Sequence, residues 1–416
     1  MGAVILERFP RKAAALAGLG LALSLGCGAD EAGFSLGESL ARGRFALELR
    51  PRYNRIDESD KPERTEGVTT RVIAGWRSAP WYGLRLTVEL INTGHLGKRN
   101  YNDDGAQFFT SPYPLLPDPG TTDWNQVFLD YTGLEATRIR VGRQVVRLNN
   151  QRWVSDNDFR QIPQLFEGVS ASYSGIANTE LSASYFRRMR NTSGTGAALE
   201  LTILNAAYNP APGQEVGAYG VFHEQAQNGA FTGFADSSYR VIGVRAAGSA
   251  GPWGGIEVPY IADFAQQKAF RGGDARIDAR YWRLGAGLAW RDYTLRYDQE
   301  VKGSNGGQYG AQMPLTDFYA FNGWTLHFFN TPSVGLVDRW VTLRAAFGRR
   351  IVIYGEEHRF RSDYGSIGLG RETDVGITFT YPENCSLRLQ HARYNPGPGT
   401  PDPSIRKTWL TLTYTF

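Results

Sequence analysis

The sequence predicts an all-β chain, a transmembrane antiparallel β-barrel of about eighteen strands with short periplasmic turns and long extracellular loops. Three observations carry that prediction. Apolar and polar residues alternate with period two in segment after segment, and helical spacing is absent. Long and short connections alternate without a break. The one long apolar run, Ala13 to Gly26, is too short for a spanning helix, so any membrane is crossed by strands.

At the start of the chain, Arg8, Arg11 and Lys12 precede that run, and the small residues Cys27-Gly28-Ala29 follow it. This is the form of a secretory signal peptide over residues 1–29, cleaved after Ala29. Ser24-Leu25-Gly26-Cys27 is also a poor lipobox, which leaves acylation at Cys27 as the alternative. Residues 30–416 then read as a single barrel domain, with no linker or composition shift inside it.

The first strand, Arg44 to Ile56, turns Phe45, Leu47, Leu49, Pro51 and Tyr53 outward and Glu48, Arg50, Arg52 and Asn54 inward. The second, about 68–78, turns Val72, Ala74 and Trp76 out and Arg71 and Arg77 in; the third, 82–91, turns Leu84, Leu86, Val88 and Leu90 out and Arg85, Thr87 and Glu89 in. Long loops are expected at 92–123, 148–163, 188–199, 224–237, 267–275, 302–336, 361–371 and 395–406. Short turns are expected between them, for example at 133–135, 248–253, 289–292 and 348–349. Eighteen strands leave roughly twenty-one residues for each strand with its connection, which suits membrane strands of ~9–11 residues. The last strand ends the chain: Leu410, Leu412, Tyr414 and Phe416 face one way, Trp409, Thr411, Thr413 and Thr415 the other. It is expected to meet lipid outside and water inside, and to close the barrel against the first strand.

A mean hydropathy of −0.36 fits strands with one wet face. A formal net charge of +4 gives a nucleic-acid partner no support. Beyond Cys27 only Cys385 remains, which excludes an intrachain disulfide and a thiolate metal site in the mature chain. The five histidines, His95, His223, His327, His358 and His391, lie far apart without ligand spacing, so neither a metal site nor a cofactor is expected. Asn102-Asp103-Asp104-Gly105 reads as a turn, with a calcium loop as the alternative. No Gly-x-Ser-x-Gly elbow or triad arrangement presents itself on a strand-turn-helix unit, and the chain is not expected to be an enzyme.

The basic residues are 39 arginines and 6 lysines. Arginine keeps its charge in confined sites and grips carboxylates with a two-pronged fork. The inward positions of the first five strands include Arg50, Arg52, Arg71, Arg77, Arg85, Arg138 and Arg140, and Arg388 joins them near the closing seam. Across the barrel, strands eleven to fourteen offer Glu257, Asp263, Asp278, Asp298, Glu300 and Asp338 against Arg280, Arg296 and Arg344. A basic wall facing a more acidic one sets a transverse field and favours anions. The alternative is that these arginines pair with neighbouring carboxylates and stiffen the wall.

Val141-Gly142-Arg143-Gln144, then Asn150-Gln151-Arg152-Trp153-Val154, Asp158-Phe159-Arg160-Gln161 and Phe166-Glu167-Gly168-Val169 form one block. Met313-Pro314-Leu315, Phe321-Asn322-Gly323-Trp324, Thr331-Pro332 and Gly335-Leu336-Val337-Asp338 form a second. In these blocks the chain resembles the alginate export family of outer-membrane barrels, over essentially the whole mature length. The resemblance implies an eighteen-stranded, arginine-lined channel for an anionic polyuronate, narrowed by loops, with outer-membrane lipid around it and periplasmic export machinery as a further partner. It also implies that Arg143 and Arg152 narrow the pore, the alternative being that they anchor a loop. The chain is short for an alginate exporter proper, which puts the gating loops in doubt. Residues 302–336, with Phe321, Trp324, Phe328 and Phe329 to bury, are expected to form a constriction or plug, or a packed surface loop. Three functions stay open: polyuronate export, uptake of small anionic solutes, and a structural or adhesive barrel working through its loops.

Overall fold

The structure, a computed structural model, describes residues 35–103, 105–107, 110–224 and 234–416. The expected signal peptide and Asp104 lie outside the described residues. A six-residue helix, α1 (Leu36–Ala41), comes first, closed by a capping box between Ser35 and Glu38. Eighteen strands follow: β1 (Arg44–Glu58), β2 (Thr65–Arg77), β3 (Leu84–Asn100), β4 (Thr121–Tyr131), β5 (Thr137–Gln144) and β6 (Leu165–Tyr173). Next are β7 (Thr179–Arg190), β8 (Gly196–Tyr208), β9 (Gln214–Glu224), β10 (Tyr239–Trp253), β11 (Ile256–Ala269) and β12 (Asp278–Trp290). The last six are β13 (Tyr293–Lys302), β14 (Leu336–Phe347), β15 (Ile351–Arg361), β16 (Gly368–Thr380), β17 (Cys385–Pro396) and β18 (Ile405–Thr415).

Every strand pairs antiparallel with its sequence neighbours, and β1 pairs with β18 as well as β2, so the sheet is a closed barrel of eighteen strands. Closure satisfies all ladder hydrogen bonds within the protein, which the lipid interior demands. The seam joins the two predicted terminal strands, Leu49 opposite Tyr414 and Tyr53 opposite Leu410. Side chains follow the alternation. Leu410 and Leu412 are exposed on the outer face while Trp409 and Thr411 are buried inside, and Arg50, Arg52, Asn54 and Arg71 are buried in the lumen.

The short connections gather at one end, the periplasmic one. Exposed aromatic residues ring that rim where strands meet the turns: Tyr173, Tyr208, Trp253, Trp290, Tyr293, Phe347 and Phe416. Their amphipathic rings suit the lipid–water boundary. Helix α1 docks at the same end, where Ser39 Oγ donates to Ala79 O at 2.6 Å. Its one sequence signal, the Ser35-x-x-Glu38 pair, is too short to have announced a helix.

Two boundaries differ in a consistent way from those expected. The loops expected at 92–123 and 188–199 shrink to 101–120 and 191–195, because β3, β7 and β8 continue past the apolar band. Alternation of polarity ends where lipid ends, but backbone pairing does not. The turn expected at 248–253 is instead Gly254-Gly255, both at positive φ (60° and 84°), as a two-residue hairpin turn requires.

Candidate functional site

Two long connections fold into the barrel. Residues 145–164 follow β5 and residues 303–335 follow β13. The first starts from a position that only glycine can occupy: Gly142 has φ 131°, and a Cβ there would lie 2.2 Å from Val127 O. Its ladder partner in β6 is Gly168, where a Cβ would meet Tyr185 O at 2.1 Å. The glycines of the first block thus carry the close pairing of β4 to β7 from which the loop departs.

The loops meet in the lumen. Ser155 N donates to Leu315 O at 2.8 Å and Asp317 N to Gln151 O at 3.1 Å. Phe159 stacks on Tyr319 with ring centroids 3.5 Å apart, and both rings meet Trp409 edge-on. On the side of β6 to β12 the wall turns apolar and packs against them, with Trp153, Val154, Phe166, Phe186, Tyr219 and Tyr281 in one buried cluster. The long connection between β13 and β14 is therefore an internal packed element, as a constriction or plug would be, and not a surface loop.

Four of the predicted arginines hold this assembly. Arg50 donates to Asp158 O at 2.8 Å, to Gln161 Oε1 at 3.2 Å and to Arg160 O. Arg71 binds Asp158 Oδ1 at 2.7 Å and pairs with Glu48. Arg52 donates to Thr411 Oγ1 at 3.0 Å and lies 4.3 Å over the Phe159 ring. Arg152 joins the two loops to the wall: it pairs with Glu300 Oε2 at 2.6 Å, donates to Asn322 Oδ1 at 2.8 Å and stacks over Phe321. All four are buried, so their charge holds loops and is not presented to solute.

The periplasmic half of the lumen is different. Arg138 and Arg140 share a single carboxylate, Asp130, at 2.7 and 2.8 Å. Arg283 and Arg296 likewise share Asp298, at 2.9 and 2.6 Å. Arg85, with Arg77 beside it, and Arg344 make no ion pair among the described residues, and Arg388 projects inward from β17. The Asp130 pairing leaves one arginine in excess, so pairing and a basic lumen coexist on that wall. Arg296 and Arg344 lie on the wall expected to be acidic and bring positive charge to it.

Three positions depart from expectation. Arg143 shares the outward face of Ile139 and Val141, opposite Val127 and Glu167; it pairs with Glu167 at 2.7 Å and Asp123 at 3.0 Å on the outside of the barrel and does not line the pore. Asp278 and Arg280 also face outward, because the pattern of β12 puts Ala279, Tyr281 and Arg283 inside. Alternation breaks in β12 because an aromatic residue, Tyr281, faces the lumen, where it packs against the loops. Asp158, Gln161 and Glu48, which hold the loop arginines, were missed as partners because their contacts span 23 to 111 residues.

Burial pushes the Asp317 carboxyl up to about 7, with the neighbouring Asp156 adding to the rise. An acid raised in the folded state is neutral there while the released loop, near its ordinary value, is charged, so stability is lost as pH rises from about 4 to 7. The loop contact should therefore tighten between pH 8 and pH 5, read as longer closed dwells in single-channel records. Asp317→Asn, which keeps the bond from Tyr319 N, should remove that dependence.

An eighteen-strand barrel with a lipid-facing exterior, an aromatic rim and loops narrowing a polar lumen defines a bacterial outer-membrane channel. The chain belongs to the alginate export family, which it matches over residues 45–302. Solved structures share the architecture. Pseudomonas aeruginosa OccK9 (OpdG) aligns with TM-score 0.69 at 15% identity, over 91% of this chain and 100% of that one. Acinetobacter baumannii OccAB2 gives 0.69 at 15%, over 91% and 99%. Pseudomonas aeruginosa OpdK, solved with vanillate, gives 0.69 at 13%, over 89% and 98%. Comparison with curated proteins gives no match.

Proposed function

We propose that this barrel is a passive, anion-selective channel for carboxylate-bearing saccharides, of the size of uronate monomers and short oligouronates. The observation that carries the reading is the set of inward arginines on the wall of β2 to β5, where Arg77 and Arg85 make no ion pair among the described residues and Arg138 and Arg140 share Asp130, directly below two interlocked loops. Guanidinium groups bind carboxylates with two parallel hydrogen bonds, and a confined lumen strengthens their field. The interlocked loops favour small solutes over a thick polymer, and OpdK, a barrel of the same fold, was solved with the small carboxylate vanillate. Family membership favours a second reading, export of a whole polyuronate chain, for which the loops must swing aside.

Single-channel recording of the refolded chain under a salt gradient tests both. A reversal potential of anion-selective sign, with current blocked by oligouronate and not by neutral glucan, is the expected result. Arg85→Ser with Arg344→Ser should lower the anion preference without closing the pore. A cation-selective pore refutes the proposal; passage of long polyuronate, seen as extended blocks lengthening with chain length, selects the export reading.

A further inference from the structure

Near the extracellular end of β14 to β16 the inner wall carries four carboxylates and an imidazole. Asp338 lies on β14, Glu356 and His358 two residues apart on β15, and Glu372 and Asp374 two apart on β16, so each pair shares the inward face. The register sets Asp374 opposite Glu356 and Glu372 opposite His358. Asp338, His358, Glu372 and Asp374 are each at most 2% exposed. Among the described residues no lysine or arginine lies within ion-pair distance of any of the four carboxylates. Such a cluster of like charge is costly to bury unless a cation accompanies it.

The geometry is that of a ligand set. His358 Nδ1 lies 3.0 Å from Asp338 Oδ1, the arrangement in which a ring N–H donates to a carboxylate and leaves Nε2 with its lone pair. That Nε2 is buried without a hydrogen-bond partner, and so is Asp374 Oδ1. Nε2 lies 3.6 Å from Glu356 Oε2 and 3.9 Å from Asp374 Oδ2, and one donor atom from each of the three residues falls within 4.8 Å of the others. Ligands about 2.0–2.2 Å from a tetrahedral ion stand about 3.4 Å apart, a contraction of a few tenths of an ångström for the histidine pairs. Trp340 and Phe360 stack on the two sides of the imidazole, at 5.5 and 5.6 Å, and hold its plane.

We propose that Glu356, His358 and Asp374 bind one divalent transition-metal ion of the zinc class, with Asp338 as a positioning residue behind His358. An imidazole nitrogen with two carboxylates suits such an ion better than calcium, which takes oxygen ligands throughout. The site sits where the second inward loop is fastened: Trp324 N donates to Asp374 Oδ2 at 3.2 Å and Thr325 N to Glu372 Oε1 at 2.6 Å. An ion there balances the acids that clasp the loop, and so ties metal supply to the constriction. The site stands independently of the solute that the channel passes.

The test is calorimetric titration of zinc chloride into the refolded, chelator-stripped chain, with folding checked by heat-shifted electrophoretic mobility. One saturable equivalent is expected for the wild type, weakened tenfold or more in Glu356→Gln and His358→Gln and by about 10–100-fold in Asp338→Asn. Cobalt(II) should give visible bands of low-coordinate symmetry that the same variants abolish. Should His358→Gln fail to fold, Glu356→Gln, at a partly exposed position, carries the test. No saturable uptake by the wild type, or binding unchanged in the folded variants, overturns the proposal and leaves His358 as an imidazolium counter-ion of Asp338 and Glu356.

Discussion

Arg152→Ala should open the channel. The substitution leaves Glu300, 1% exposed, without its ion partner, and removes the group that ties Asn322 and Thr316 to the first loop. Losing one partner of a buried pair costs about 3–5 kcal/mol, because the remaining charge stays desolvated. The cost falls on the interlock between residues 145–164 and 303–335 and spares the barrel wall, whose ladder is unaffected. Single-channel conductance should rise several-fold, with frequent transitions between levels, while the barrel keeps its heat-shifted mobility. The companion Arg152→Met with Glu300→Leu replaces the pair by packing and should restore most of the closed behaviour, since buried ion pairs exchange for hydrophobic contacts at small cost. Unaltered conductance in Arg152→Ala would show that the loops are held by their apolar contacts alone.

Arg138→Glu with Arg140→Glu should reverse the sign of the selectivity. Both guanidinium groups now sit on Asp130, so the wild-type group carries a net charge of about +1; the double variant places three carboxylates there. Arg140 also lies 3.9 Å over the Phe128 ring, and that contact is lost. With excess negative charge in a confined lumen, the reversal potential under a salt gradient should move to the cation side, most strongly at low ionic strength, where screening is weak. A selectivity unchanged by the double substitution would put the selecting charge elsewhere, at Arg85, Arg344 or Arg388.

The lumen also shows why some of its chemistry could be read early and some not. Arg85, Arg138 and Arg140 were placed in the lumen by parity alone, and they lie there on the water-accessible side. Arg50, Arg52 and Arg71 were placed on the correct face, yet their role changed, because a loop 87 to 111 residues away covers them. Arg143 was assigned by its motif and lies outside, where strand parity read through Val141 would have put it. The cluster at His358 was hidden for a related reason: its members come from different strands, so spacing along the chain reveals only the Glu356–His358 pair.

The sequence by itself determined the architecture. Polarity alternating with period two, connections alternating in length and a lipid-facing terminal strand admit one closed antiparallel barrel, and each of these signals is local or nearly so. Which face a strand residue occupies follows from the same alternation, except in β12, where a lumen-facing aromatic residue breaks it. What only the tertiary structure decided is what fills the barrel and which charges remain available. The meeting of residues 145–164 with 303–335, the burial of Arg152 on Glu300 and the gathering of three acids around His358 depend on closure, which sets the register of all eighteen strands at once. A guanidinium group is a solute site or a loop clasp according to what closure brings opposite it, and that partner has no signature in its own segment.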